Sequence, residues 1–220
     1  MKNSYQYKPF KYFFITIFVT WISLFAAAFC SHTEGLESYQ IPIMLPGLFA
    51  PFVAAIFMIY GSKNSELKKD FKNRIFNLKL IKLKFWPAIL LIMPFALFSA
   101  TAISLLFGQP MKQFSFSSEF IIINEVTVFT LVILSFASTF EELGWRGYGV
   151  DSLKKGRNLI KATLIFALLW ILWHVPMFFI KDYYQYELIH TNILYALNFI
   201  LSLIPAAILM NWIYYKMTEA

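Results

Sequence analysis

Six apolar stretches dominate the chain, near 11–30, 43–60, 85–107, 119–142, 159–180 and 190–214, with short polar segments between them. Each is long enough, or nearly so, to cross a bilayer as a helix, which takes about 20 residues. The pattern predicts an all-α, polytopic transmembrane bundle of six spanning helices. The first stretch has a basic start and small residues at Ala26, Ala27 and Ala28, as a signal peptide would. Its apolar run exceeds the roughly 7–15 residues of a signal core, and it reads as a retained helix. The longest polar segment, Asn64 to Lys84, sets Leu67, Phe71, Ile75, Phe76 and Leu80 among lysines. That spacing fits an amphipathic helix at the interface, serving as a connector with a few anchors or as a docking element. Pro94, Pro176 and Pro205 fall inside apolar segments, where neighbouring helices must satisfy the backbone groups they free.

Composition agrees. Of 220 residues, 59% are hydrophobic, 20% aromatic and 14% charged, against about 45–50% apolar and about 25% charged in a soluble domain. Disorder is excluded by the hydrophobicity. A disulfide scaffold and a cysteine zinc finger are excluded because Cys30 is the single cysteine. The reading is one integral membrane domain over residues 1–220.

The net charge of +7 is informative through its placement. With loops assigned alternately to the two sides, 17 of the 19 basic residues fall on one side, and only Lys112 and Lys181 on the other. The positive-inside rule then places both termini in the cytoplasm. The basic residues are a topology signal in contact with anionic lipid, and no nucleic-acid partner is expected. Abundant Lys, Ile, Phe and Asn point to an AT-rich genome and a bacterial cell membrane.

Ionisable groups are costly within a membrane and mark function. The densest cluster runs from Phe140 through Glu141, Glu142, Leu143, Gly144, Trp145 and Arg146 to Gly147, directly after an apolar run. Two adjacent carboxylates repel each other there, so each needs its own compensation. On a helix Glu142 and Arg146, four apart, face each other. Glu141 points about 100° away; it lacks that partner and is the candidate general base. The second polar group is His174, one turn after Trp170. A hairpin turning at Lys154–Asn158 would bring Glu141 and His174 to one level, roughly 20–25 Å of helix from the turn. This requires the helix bearing Glu141 to continue to about residue 152, past Gly144, Gly147 and Gly149, which would also permit close helix approach.

Glu141-Glu142-x-x-x-Arg146 followed by Trp170-x-x-x-His174 resembles the first two motifs of the CPBP intramembrane proteases. That family includes type II CAAX prenyl endopeptidases and proteins linked to bacteriocin self-immunity. The resemblance covers roughly residues 120–215. It implies a helical bundle around a water-accessible cavity and hydrolysis of a peptide bond in a membrane-borne peptide or protein. It also implies roles: Glu141 activating water, Glu142 and Arg146 orienting it, and His174 binding the water or stabilising the oxyanion. A divalent metal such as zinc on Glu141 and His174, or no metal at all, is compatible with the family. The sequence has no His-Glu-x-x-His.

Two features depart from the family. Trp170 stands where Phe is frequent. The third family motif, His-x-x-x-Asn or His-x-x-x-Asp, does not follow His174, and His190 is followed by Leu194; the alternatives are a truncated or divergent member of the family, or Asn198 filling in. One oxyanion donor is worth about 2.7–4 kcal/mol. An intramembrane peptidase and a non-catalytic immunity or adaptor protein on the same scaffold are therefore both carried forward. A transporter would want paired repeats with broken helices, and the sequence has no internal repeat.

Overall fold

The computed structural model of the chain describes residues 5–77, 83–115 and 125–218. Their regular elements are helices: α1 (Pro9–Ser31), α2 (Gln40–Gly61), α3 (Ser65–Phe76), α4 (Trp86–Leu105), α5 (Glu125–Gly144), a π-helical turn (Trp145–Gly149), α6 (Val150–Lys154), α7 (Leu159–His174), α8 (Tyr184–Thr191) and α9 (Ile193–Thr218). The chain is all-α. Among the described residues five helices are long and apolar enough to cross a membrane: Pro9–Ser31, Glu37–Gly61, Leu83–Leu105, Leu159–Phe179 and Ile193–Met217. The sixth expected span, 119–142, corresponds to α5; its 119–124 portion lies outside the described residues, as does Leu80 of the polar stretch.

The chain divides into two compact units. One comprises Asn77–Phe136, and the other the residues up to Phe76 and from Ala137 onward. The first contains α4 and a following turn, joined by a Phe98–Phe114 ring contact at 5.5 Å. All the site residues belong to the second.

In lipid, apolar side chains gain little by leaving the hydrocarbon, so close packing and hydrogen bonds must hold helices together. The prolines of α2 show how. Pro51 has no amide proton, which removes the helical donor to the Gly47 carbonyl. Thr20 Oγ1 of α1 donates to that carbonyl instead, at 2.8 Å. One turn earlier Ser23 enters the ladder itself. Its hydroxyl donates to the Ile43 carbonyl and accepts from the Gly47 amide. Outer positions of α1, such as Phe10, Phe14 and Ile22, are exposed, as a lipid-facing surface requires.

The same rule ends α7. Pro176 cannot donate to the Leu172 carbonyl, and Trp21 Nε1 of α1 does so at 3.0 Å. The α-helix stops at His174 and a 3-10 turn, Val175–Phe179, follows. Here the proline terminates the helix, placing His174 at its end. The turn between α6 and α7 spans Lys155–Asn158, with Gly156 at φ +77° and the Asn158 side chain capping α7 by accepting from the Lys161 amide at 2.8 Å. The polar stretch forms α3, anchored through buried Leu67 and Phe71, with Phe76 exposed.

Candidate active site

The helix bearing Glu141 does continue past the three glycines, but not as uninterrupted α-helix. From Trp145 to Gly149 it widens to a π turn, where the Val150 amide reaches back to the Trp145 carbonyl. Such insertions are frequent at functional sites. The glycines serve close approach. A Cβ on Gly144 would collide with the backbone of Pro51 and Phe52, and one on Gly147 with the Phe71 ring. The site segment is thus pressed directly against α2 and α3.

Glu141 has two partners that the sequence reading left unassigned. Trp145 Nε1 and Trp170 Nε1 both donate to Glu141 Oε1, each at 3.0 Å. Among the described residues no hydrogen bond reaches Oε2. Trp145 is fully buried and packs against Phe13, Phe166 and Trp173, so its donor is fixed in direction. Trp170 does more than stack. It joins the two halves of the site, because its carbonyl accepts from His174 Nδ1 at 2.8 Å while its indole holds Glu141. A carbonyl can only accept, so Nδ1 carries the proton of that bond. Nε2 of the neutral ring is then an acceptor.

His174 is buried among Trp170, Trp173 and Phe199, with the Trp173 ring perpendicular to it at 4.8 Å. Trp173 is tethered in turn, donating to Thr20 Oγ1 at 2.9 Å. Thr20 is the residue that repairs the proline gap in α2. The scaffold defect is thus linked to the site through the Thr20–Trp173 hydrogen bond and the Trp173 ring against His174.

Glu142 faces the other way. Arg146 Nη1 donates to its Oε1 at 2.7 Å, the i,i+4 pair expected from the sequence. The guanidinium stacks over Phe166, 5.0 Å from the ring centroid. Behind it lies a polar knot. Tyr214 at the end of α9 shares its one hydroxyl proton between the Arg146 carbonyl at 3.1 Å and Asp151 Oδ2 at 3.0 Å. Tyr215 donates to Asp151 Oδ1 at 3.0 Å, and Arg74 of α3 to Asp151 Oδ2 at 2.6 Å. Burial opposes the Arg74 charge, but Tyr214, Asp151 and Asp70 more than offset it and hold the group protonated. A cavity of about 400 Å³ opens beside Glu142 and Arg146.

For the divalent metal considered above, Glu141 and His174 offer two donors. Among the described residues no group of three His, Cys, Asp or Glu converges, whereas catalytic zinc commonly has three protein ligands. Asn198 is exposed on α9, and it is the adjacent Phe199 that contacts His174. The sequence carried a signal for the missed donors, two tryptophans at Glu141 + 4 and His174 − 4, but hydropathy counts an indole as apolar bulk.

Comparisons with known proteins give the family. The family model described as type II CAAX prenyl endopeptidase Rce1-like matches residues 123–219, a stretch that contains Glu141, Glu142, Arg146 and His174. CAAX prenyl protease 2 of Methanococcus maripaludis is 45% identical over 216 residues, 98% of this chain and 79% of that protein. With a helical membrane architecture, the two motifs in one site and this relative along nearly its whole length, the chain belongs to the Rce1-like type II CAAX prenyl endopeptidase family, a family of peptidases.

Proposed function

We propose that the protein is an intramembrane endopeptidase that cuts a membrane-borne peptide or protein by water activated at Glu141. The observation that carries this reading is the state of the Glu141 carboxylate: two indoles hold one oxygen, no hydrogen bond among the described residues reaches the other, and one of those indoles belongs to the residue whose carbonyl fixes His174. A water there meets two acceptors, Glu141 Oε2 and His174 Nε2, one for each of its protons. That leaves its lone pair directed at a substrate carbonyl. Glu141 takes the proton as the hydroxide adds to the carbonyl carbon. It returns that proton to the amine when the C–N bond breaks. Glu142 and Arg146 position the segment and the substrate.

The name of the Methanococcus relative suggests the substrate class: a C-terminal C-a-a-X segment whose cysteine carries a prenyl chain. The chain would then meet its substrate at the membrane interface, with membrane lipids around it. The distribution of basic residues supports both termini on the cytoplasmic side. The direct test is incubation of the purified protein, in lipid nanodiscs, with a farnesylated C-a-a-X peptide, with products read by mass spectrometry in H₂¹⁸O. Cleavage with one ¹⁸O in the new carboxylate is expected, and it should be abolished by Glu141→Gln. No cleavage by the parent protein would return the reading to a non-catalytic membrane role.

A further inference from the structure

A larger cavity, of about 800 Å³, runs along the outer face of α1 where it meets α6 and α7. Its size lies within the range of ligand pockets, about 300–1,000 Å³. α1 and α7 run antiparallel along it. Pro9 and Arg157 line one end, Trp21 Nε1 reaches the Leu172 carbonyl further on, and Phe25 meets Phe179 at 5.6 Å beyond that. One wall is a regular row of rings. Phe10, Phe14 and Phe18, spaced four apart, stack at 6.0 and 5.7 Å with interplanar angles of 17° and 14°. All three are more than half exposed. Leu153, Leu169 and Leu172 contribute from α6 and α7. From Pro9 to Phe25 the groove follows α1 for about 24 Å. One leaflet of a bilayer holds about 15 Å of hydrocarbon, so the groove is long enough for an extended acyl chain.

The one charged residue of the lining is Arg157. It lies on the α6–α7 turn, two residues before the apolar span that starts at Leu159, and Pro9 opens the span of α1. That end of the groove is therefore level with lipid headgroups. Arg157 Nη1 donates to the Leu153 carbonyl at 3.1 Å, which fastens the guanidinium over another lining residue. Among the described residues its side chain makes no other hydrogen bond and no ion pair. Asp151, the acid of this end, is engaged by Arg74, Tyr214 and Tyr215. The nearby lysines turn elsewhere: Lys11, Lys154 and Lys155 lie over the rings of Phe57, Tyr215 and Tyr7. An uncompensated guanidinium thus caps a channel of hydrocarbon character. Its chemical complement is an anionic head on a long apolar tail.

We infer that this groove binds one anionic phospholipid, with an acyl chain along the Phe10–Phe14–Phe18 row and the phosphate on Arg157. The planar fork of a guanidinium matches a phosphate. The inference goes beyond the endopeptidase reading and does not depend on it. Such a lipid would touch α1, α6 and α7 together, and α7 carries Trp170 and His174.

The test is native mass spectrometry of the full chain in detergent, titrated with phosphatidylglycerol bearing either dioleoyl or dihexanoyl chains. One dioleoyl lipid per protein is expected, bound at least about tenfold more tightly than the dihexanoyl lipid with the same headgroup. Arg157→Gln should weaken it about tenfold. Lys161→Gln removes an equal charge from the same end but outside the lining, and should change it less than about threefold. Equal losses in the two variants would reduce the attraction to general surface charge and overturn the inference. Equal binding of the two chain lengths would also overturn it, and that comparison needs no substitution. Two further outcomes would do the same. One-for-one displacement of the lipid by a farnesylated C-a-a-X peptide would assign the groove to the substrate. Replacement of the lipid-bound monomer by a dimer on delipidation would assign it to a second copy of the chain.

Discussion

Glu141 is surrounded by indoles from two helices, while Glu142, the next residue, faces a guanidinium and a polar cavity. Each is partnered by the residue four positions on, Trp145 for the first and Arg146 for the second. The helical relation is the same and the partner chemistry is opposite. One carboxylate is oriented by neutral donors that leave an oxygen open. The other is neutralised by a charge and becomes part of the wall. Two like charges side by side in a membrane are tolerable because helix geometry sends them to different surroundings, and that separation also divides their roles.

Removing both indole donors should break the comparison most severely. Trp145→Phe with Trp170→Phe leaves Glu141 unoriented. With hydrogen bonds to charged groups at about 1.5–3 kcal/mol each, peptide cleavage is expected to fall by about 10²–10⁴ in kcat/KM. Trp170→Phe alone, a residue common at this position in the family, should cost about 10- to 100-fold and lower kcat more than it raises KM. On the other side, Glu142→Ala strands a buried guanidinium and should destabilise the protein by about 1–3 kcal/mol, read as a lower Tm. Asp151→Asn should do least. It keeps an acceptor for the tyrosines but loses the charge facing Arg74, so a loss of about 1 kcal/mol is expected, with cleavage within about threefold of the parent. A cleavage loss there as large as at Trp170 would place the polar knot inside the machinery and blur the division.

Much of this was legible in the sequence where the signal was local. Long apolar runs announced the helices, the Lys154–Asn158 turn announced the α6–α7 hairpin, and i,i+4 spacing announced the Glu142–Arg146 pair. What escaped were relations between helices. The indole donors to Glu141 were hidden because tryptophan reads as apolar mass. Thr20 and Ser23 looked like incidental polar residues in a span, until Pro51 and the broken ladder of α2 gave them carbonyls and an amide to serve. The π turn escaped because the glycines that suggest an interruption equally suit close packing, and here they do the latter at Pro51 and Phe71. Arg146 Nη2 could not be seen as a buried donor without a partner among the described residues before its neighbours were placed.

The division of labour between the two adjacent glutamates is tested most directly by Glu141→Gln and Glu142→Gln prepared side by side in nanodiscs, with single-turnover cleavage and Tm measured on both. The account predicts that Glu141→Gln loses about a thousandfold or more in rate with little change in Tm, since the amide oxygen still accepts from both indoles. Glu142→Gln should lower Tm while retaining measurable cleavage. A Glu141→Gln protein that still cuts at a rate near the parent's, or a Glu142→Gln protein that is as stable as the parent yet inactive, would contradict it.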